Sequence, residues 1–100
     1  MSAYFVLTQT VADPQRRYAQ DYVTKVLPFL AKYKAEIVVA EMEAKPLEGN
    51  PAKGVVVLRF PSEEAIRDFL SDPDYQPAKR IRQASTKNVS MVLVEEFQPG

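Results

Sequence analysis

The spacing of apolar residues along the chain predicts four strands and three helices. Stretches rich in β-branched and aromatic residues predict strands over residues 3–11, 36–44, 53–60 and 89–97. Between the first two strands, apolar residues recur every three or four positions, which is typical of an amphipathic helix. Asp13 is expected to cap this helix, with Pro14 in its first turn. Pro28 cannot donate a backbone hydrogen bond, so it predicts a kink; a break into two helices is the alternative.

The second half of the chain predicts two more helices. Ser62 is expected to cap the first of them, with Glu63 and Glu64 in its first turn, and its buried face holds Ile66, Phe69 and Leu70. The other runs from Ala78 to about residue 86, with a buried face of Ala78, Ile81 and Ala84. The order βαββαβ predicts one ferredoxin-like α+β domain over residues 1–100, with a four-stranded antiparallel sheet and helices on one face.

Apolar runs in the strands predict that the sheet is covered on both faces. Successive strand residues point to opposite faces, yet residues 5–7, 37–39, 55–58 and 91–94 are all apolar. The helices can cover only one face, and monomers rarely expose an apolar patch larger than a few hundred Å². We therefore expect a homodimer that closes a dimeric α/β barrel; the alternative is that loops and the C-terminal segment cover the second face.

Composition removes several function classes. The chain has 46% hydrophobic and 26% charged residues, which is typical of a globular domain. Its 13 basic residues balance 13 acidic ones, which argues against nucleic-acid and membrane-surface binding. It has no cysteine and no histidine, so no metal site and no histidine base are expected. We expect no cofactor. The first residues lack the charged segment of a signal peptide, and the expected location is cytoplasmic.

Several motifs resemble a known family. Residues 71–97, containing Asp74-Tyr75-Gln76 followed by Arg82, resemble the C-terminal half of a family of small bacterial proteins of unknown function. Asp13-Pro14 with Tyr18 and Tyr22, the LEG sequence at 47–49 and the segment 55–65 fit its pattern in the same order. The resemblance implies the dimeric α/β-barrel superfamily, which includes cofactor-free monooxygenases, lactone isomerases and haem-binding members. Where family members often carry Arg-Gly-Gly, this chain has Ala-Glu-Met at 40–42.

A few polar side chains are candidates for a ligand site. Tyr18, Tyr22 and Tyr75 could line a pocket between helix and sheet, where a phenol donates a hydrogen bond or transfers a proton. The alternative for all three is core packing with the hydroxyl at the rim. Arg82 could hold a carboxylate or phosphate at the edge of the buried stripe; its alternative is an ion pair with residues 72–74.

Glu41 and Glu43 are the candidates for a catalytic base. They lie two apart on the second strand and so share one face, where burial could separate their pKa values. The alternative is that they are solvated charges that protect a strand end. Lys79, Arg80, Arg82 and Lys87 are basic but have no aromatic residues between them, so nucleic-acid binding is not expected.

Three functional hypotheses follow. The first is a homodimer that binds a small, partly apolar and potentially anionic molecule between sheet and helices, through Tyr22, Tyr75 and Arg82. The second is a cofactor-free monooxygenase or isomerase that acts on a small carbonyl or phenolic compound, with Glu41 or Glu43 as base. The third is a structural protein without a ligand.

Overall fold

The computed structural model describes residues 2–12 and 21–99. The predicted elements occur in the predicted order, and the fold is a ferredoxin-like α+β arrangement. The expected helix start at Asp13-Pro14 lies outside the described residues. In chain order the elements are β1 (Ala3–Val11), α1 (Thr24–Lys32), β2 (Glu36–Glu41), β3 (Gly54–Phe60), α2 (Glu63–Ser71), α3 (Gln76–Ser85) and β4 (Thr86–Glu95).

The four strands form one antiparallel sheet in the order β2-β3-β1-β4. β1 therefore lies inside the sheet, and every second residue of it is buried: Ala3, Phe5, Leu7 and Gln9. These side chains share one face because strand side chains alternate. The three helices pack on that face. The core between them includes Leu58 and Phe60 from β3, and Ile66 and Phe69 from α2.

Helix α1 continues through Pro28, so the break that was the alternative to a kink does not occur, and the kink stays a prediction. Its C-terminus is closed by two backbone hydrogen bonds, from Lys34 N to Ala31 O (3.2 Å) and from Ala35 N to Leu30 O (2.8 Å). This is a Schellman motif, which usually places glycine in the left-handed conformation. Here Lys34 takes that position, with φ of 57°.

Helix α2 begins as predicted, since the backbone N–H of Ala65 donates to Ser62 Oγ at 3.2 Å. The buried face of α3 differs from the prediction. Ala84 is exposed and Ile81 is only partly buried, whereas Arg82 and Ser85 are buried beside Ala78. The prediction for Ala84 is wrong because the helix turns Arg82 and Ser85 inwards, although they are the more polar residues.

The face of the sheet away from the helices is open and largely apolar. Tyr4, Val6 and Thr8 of β1 point to it, as do their cross-strand neighbours on both sides. On β4, Val92 and Val94 are 50% and 43% exposed. The sheet of one chain does not close on itself. A barrel would therefore need a second copy of the chain.

Candidate functional site

An apolar pocket of about 250 Å³ lies between α1 and the sheet. Side chains from α1, the inner sheet face and α2 form its walls. Leu27, Ile37 and Ala40 are exposed, so the pocket opens between α1 and the edge strand β2. The only polar group among the lining side chains that the structure describes is the hydroxyl of Tyr22. The full lining is Phe5, Leu7, Tyr22, Val23, Val26, Leu27, Leu30, Ile37, Ala40, Met42, Val56, Leu58 and Phe69.

A bulge in β2 shapes the mouth of this pocket. Ile37 pairs with Leu58 and Val39 pairs with Val57, so Val38 is an extra residue in the edge strand. Ile37 and Ala40 are three residues apart and would face opposite sides of a regular strand. Because of the bulge, both line the pocket.

The hydroxyl of Tyr22, a lining residue, forms a hydrogen bond with the hydroxyl of Tyr75, which does not itself line the pocket. The two oxygens are 2.8 Å apart, and the residues are only 7% and 1% exposed. The Tyr75 ring is fixed by Phe69 and Phe29, whose centroids lie 4.5 Å and 5.7 Å away. A phenol hydroxyl can both donate and accept hydrogen bonds. The Tyr22 hydroxyl is therefore the polar feature of an otherwise apolar set of lining side chains.

A second polar cluster ties the end of α1 to the turn between α2 and α3. Asp72 Oδ2 accepts hydrogen bonds from Lys32 Nζ (2.7 Å) and from Tyr33 Oη (2.6 Å), and Asp72 Oδ1 accepts from Asp74 N (2.9 Å). The Lys32 and Tyr33 hydrogen bonds stabilise the carboxylate, so they lower the pKa of Asp72 from 3.8 to about 2. The hydrogen bond from Lys32 to Asp72 raises the pKa of Lys32, and the hydrogen bond from Tyr33 to Asp72 raises the pKa of Tyr33. These interactions connect α1 to the turn between α2 and α3. Both carboxylate oxygens of Asp72 already accept hydrogen bonds from the protein.

Two further polar side chains are buried without hydrogen-bond partners in the described structure. Gln9 is fully buried, and neither its Oε1 nor its Nε2 has a partner. Arg82 is 3% exposed, and its Nε is likewise unpartnered. Gln9 was not among the site residues predicted from the sequence. Its position could have indicated it, since Gln9 is the polar residue that ends the inward stripe of Ala3, Phe5 and Leu7.

The sequence candidates have different places in this geometry. Tyr22 and Tyr75 come together as described, although their role in binding stays a prediction. Tyr18 lies outside the described residues. Arg82 is buried but does not line the apolar pocket, and the alternative of an ion pair with residues 72–74 is not observed in the described structure, where Lys32 engages Asp72.

Glu41 and Glu43 are exposed and lie outside the pocket. The backbone N–H of Glu43 donates to Glu41 Oε2 at 3.3 Å, and Glu43 is 3.8 Å from Lys53 Nζ. Surface ion pairs of this kind contribute little to stability. The described part of the chain contains no group of three acidic, cysteine or histidine side chains that could hold a metal ion. None of the described helices is long and apolar enough to cross a membrane.

Comparison with known proteins identifies a family and a fold. Residues 2–97 match the model of a domain of unknown function, DUF1330, and the chain belongs to this family. No protein of curated function gives a significant match.

Three similar solved structures each share less than a fifth of their sequence with the chain. A protein of unknown function from Rhodopseudomonas palustris is 19% identical, with a TM-score of 0.72 over 98% of this chain and 84% of its own. SnoaB, a cofactor-independent oxygenase from Streptomyces nogalater, is 16% identical, with a TM-score of 0.69 over 97% and 94%. A dimeric ferredoxin-like protein of unknown function from Thermobifida fusca is 17% identical, with a TM-score of 0.55 over 96% and 92%. Such likeness supports the fold alone.

Proposed function

We propose that this DUF1330 protein binds a small, mainly apolar molecule in the pocket between α1 and the sheet. The observation that carries the proposal is the pocket itself, whose described lining is apolar except for the Tyr22 hydroxyl. Ligand sites combine such a lining with a few polar groups that orient the ligand. The volume of about 250 Å³ lies just below the usual range of roughly 300–1,000 Å³, so the ligand is small.

Tyr22 and Tyr75 orient the ligand in this proposal. The ring contacts of Tyr75 fix its hydroxyl, which in turn fixes the Tyr22 hydroxyl at the pocket wall. Binding sites are most selective when the polar groups are held in place before the ligand arrives. A ligand with one oxygen or nitrogen on an apolar body fits this arrangement.

Filling the pocket tests the proposal. Ala40 lines the mouth and is exposed, so Ala40→Trp can place an indole ring in the pocket without displacing a buried side chain. The matched control is Ala31→Trp, because Ala31 is an exposed residue of α1 that does not line the pocket. The chain has no tryptophan, so the emission of the new ring reports whether it is buried.

Free indole, followed by ligand-observed NMR, is a suitable neutral probe. We expect indole to bind the wild-type protein and the Ala31→Trp variant but not Ala40→Trp, whose emission should be shifted to shorter wavelength. Indole binding that survives in Ala40→Trp with a buried tryptophan would place the ligand elsewhere. Absence of binding to the wild-type protein would favour the third hypothesis, a structural protein without a ligand.

A homodimer is the second part of the proposal. The open sheet face carries Val6, Val57 and Val92 at neighbouring positions of three adjacent strands. Four strands at about 4.8 Å spacing and about seven residues in length give a face on the order of 400 Å². The largest apolar patch on a typical monomer covers roughly 300–600 Å² and is often functional, so a face of this size is a candidate interface. A second copy of the same face covers it by two-fold symmetry, and the dimeric Thermobifida fusca protein has the same fold.

A charge at the centre of the open face tests the dimer. Val57→Lys should give a monomer mass in native mass spectrometry, because burying an unpaired ammonium group in the interface is costly. Leu47→Lys is the control, since Leu47 is fully exposed in the loop between β2 and β3. A wild-type monomer at micromolar concentration would refute the dimer.

A cofactor-free oxygenase acting on a phenolic or carbonyl compound is the second candidate function. It is favoured by the apolar pocket with its phenol pair and by a fold similar to that of SnoaB. The substrate would supply the electrons to dioxygen after losing a proton to a base. Oxygen uptake that is lost in Tyr22→Phe, but not after replacing both Glu41 and Glu43 with Gln, would assign proton transfer to the pocket. Loss of oxygen uptake only in the variant that lacks both glutamates would assign proton transfer to Glu41 or Glu43.

A further inference from the structure

Gln9 is buried beside two irregular positions of the sheet, and its side chain has no hydrogen-bond partner in the described structure. Buried side-chain amides are nearly always hydrogen-bonded, and an unpaired one costs about 1–3 kcal/mol on protein scales. On the β3 side, Gln9 pairs with Gly54, which has no side chain. A Cβ on Gly54 would lie 2.7 Å from the Gln9 carbonyl oxygen and 3.3 Å from Gln9 Cγ. The absence of a side chain here leaves room for Gln9.

On the β4 side, the sheet bulges beside the same residue. Thr8 pairs with Ser90 and Thr10 pairs with Lys87, so two residues of β4 lie opposite Gln9 alone. The first of these, Asn88, has a φ of 54°, in the left-handed region. Bulges of this type bend a strand locally and are frequent next to active sites. Gln9 thus lies between a glycine and a bulge.

Arg82 approaches the same end of the sheet from α3. The inward stripe of the helix is formed by Ala78, Arg82 and Ser85. Ser85 O accepts a hydrogen bond from Ala12 N at 2.9 Å, directly after the end of β1, so the last turn of α3 is held against the end of β1 that carries Gln9. Among the described residues Arg82 forms no ion pair, and its Nε has no partner. A buried cation without a counter-charge is unfavourable.

We infer that Gln9 and Arg82 form a polar subsite for a small hydroxy acid, a molecule with a carboxylate and a hydroxyl near each other on an apolar body. Arg82 and Gln9 Nε2 are donors and so require an acceptor, which the carboxylate supplies. Gln9 Oε1 is an acceptor and requires a donor, which the hydroxyl supplies. A simple anion would leave Gln9 Oε1 unpaired, and a neutral alcohol would leave Arg82 without a counter-charge.

This inference rests on the proposed function, because the apolar pocket would hold the body of the ligand. The two regions are adjacent along β1. Leu7 lines the pocket and is the next inward residue before Gln9 on this strand.

Three related compounds test the carboxylate and the hydroxyl of the ligand one at a time. Mandelate carries both groups, phenylacetate lacks the hydroxyl, and benzyl alcohol lacks the carboxylate. Calorimetric titration of the wild-type protein should give the tightest binding for mandelate, with about tenfold weaker binding for the loss of each group. Gln9→Leu should bind mandelate and phenylacetate equally. Arg82→Met should bind both acids no better than benzyl alcohol, whereas Arg80→Met, at an exposed position of α3, should match the wild-type protein.

The stability of Gln9→Leu supplies a second readout that does not depend on the ligand. Replacing an unpaired buried amide with an apolar side chain should raise the unfolding midpoint of the free protein while it weakens mandelate binding. A structural role for Gln9 predicts the opposite change in the midpoint. If Arg82→Met does not fold, the order of the three compounds on the wild-type protein still decides the question.

The outcomes separate the inference from the function on which it rests. If indole binds but mandelate is no tighter than benzyl alcohol, a bridging water satisfies these groups and the subsite is refuted while the pocket stands. If mandelate binds tightly and Ala40→Trp does not weaken it, the subsite does not belong to the pocket and the inference fails as stated. If neither indole nor any of the three compounds binds, both proposals fail.

Discussion

The hydrogen bond between Tyr22 and Tyr75 gives a quantitative test of the site geometry. The two hydroxyls are 2.8 Å apart and both residues are buried. Tyr22→Phe removes one partner and leaves the Tyr75 hydroxyl buried, which we expect to lower the free energy of unfolding by about 1–3 kcal/mol. Tyr75→Phe should lower it by about 1 kcal/mol, the net value of a typical hydrogen bond. The double variant should cost less than the sum, because the second change removes a group that the first had already left unpaired.

Urea unfolding followed by far-UV circular dichroism measures this coupling. The protein concentration must be the same throughout, because the stability of a dimer depends on it. Tyr4 provides the control cycle, since its hydroxyl bonds to Glu96 at 3.3 Å and points to the other face of the sheet. Tyr4→Phe and Tyr22→Phe should be additive within about 0.5 kcal/mol. Additivity of Tyr22→Phe and Tyr75→Phe within the same limit would show that the two hydroxyls do not interact.

Three further predictions concern positions outside the pocket. The pKa of Asp72 is lowered from 3.8 to about 2, so its stabilising effect is complete above about pH 4 and is lost as the pH falls through 2; Asp72→Asn should therefore flatten the acid limb of a stability–pH profile, and Asp68→Asn, at an exposed position, should not. Lys34→Gly should raise the free energy of unfolding by about 0.5–1 kcal/mol, because Lys34 has a φ of 57° that glycine adopts without strain. A lower free energy of unfolding for this variant in a urea titration would contradict the prediction. Gly54→Ala should lower the free energy of unfolding by about 1–3 kcal/mol, because the new methyl group would lie 2.7 Å from the Gln9 carbonyl oxygen. An unchanged unfolding temperature would show that β1 and β3 can move apart there at little cost.

The strands were predictable because their chemistry is strong and local. β1 matches its predicted bounds, and β3 begins one residue later than predicted. β2 ends at Glu41 rather than at residue 44, and Met42 beyond it lines the pocket. β4 begins at Thr86, three residues early, because the chain passes from α3 into the strand without a turn. The sequence does not indicate that the strand begins directly after the helix, because residues 86–88 are polar and do not resemble a strand.

The site was only partly predictable because its contacts join distant parts of the chain. Tyr22 and Tyr75 were both candidates, but sequence spacing could not show that their hydroxyls meet. The pocket mouth depends on the bulge at Val38, and an uninterrupted apolar run gives no sign of where a bulge falls. Tertiary packing, rather than local preference, decides which strand residues line the cavity.

Gln9 and Arg82 mark the place where the general rule of apolar core and polar surface does not hold. Pattern reasoning assigns Arg82 to the edge of α3 and passes over Gln9, because each is polar in a stretch where an apolar residue would pack better. A folded chain that optimised stability alone would replace both, since unpaired buried polar groups cost free energy. Local conflicts of this kind tend to coincide with functional positions. A glycine and a bulge flank Gln9, whose side chain contributes no described hydrogen bond, and a ligand explains this joint arrangement better than packing does.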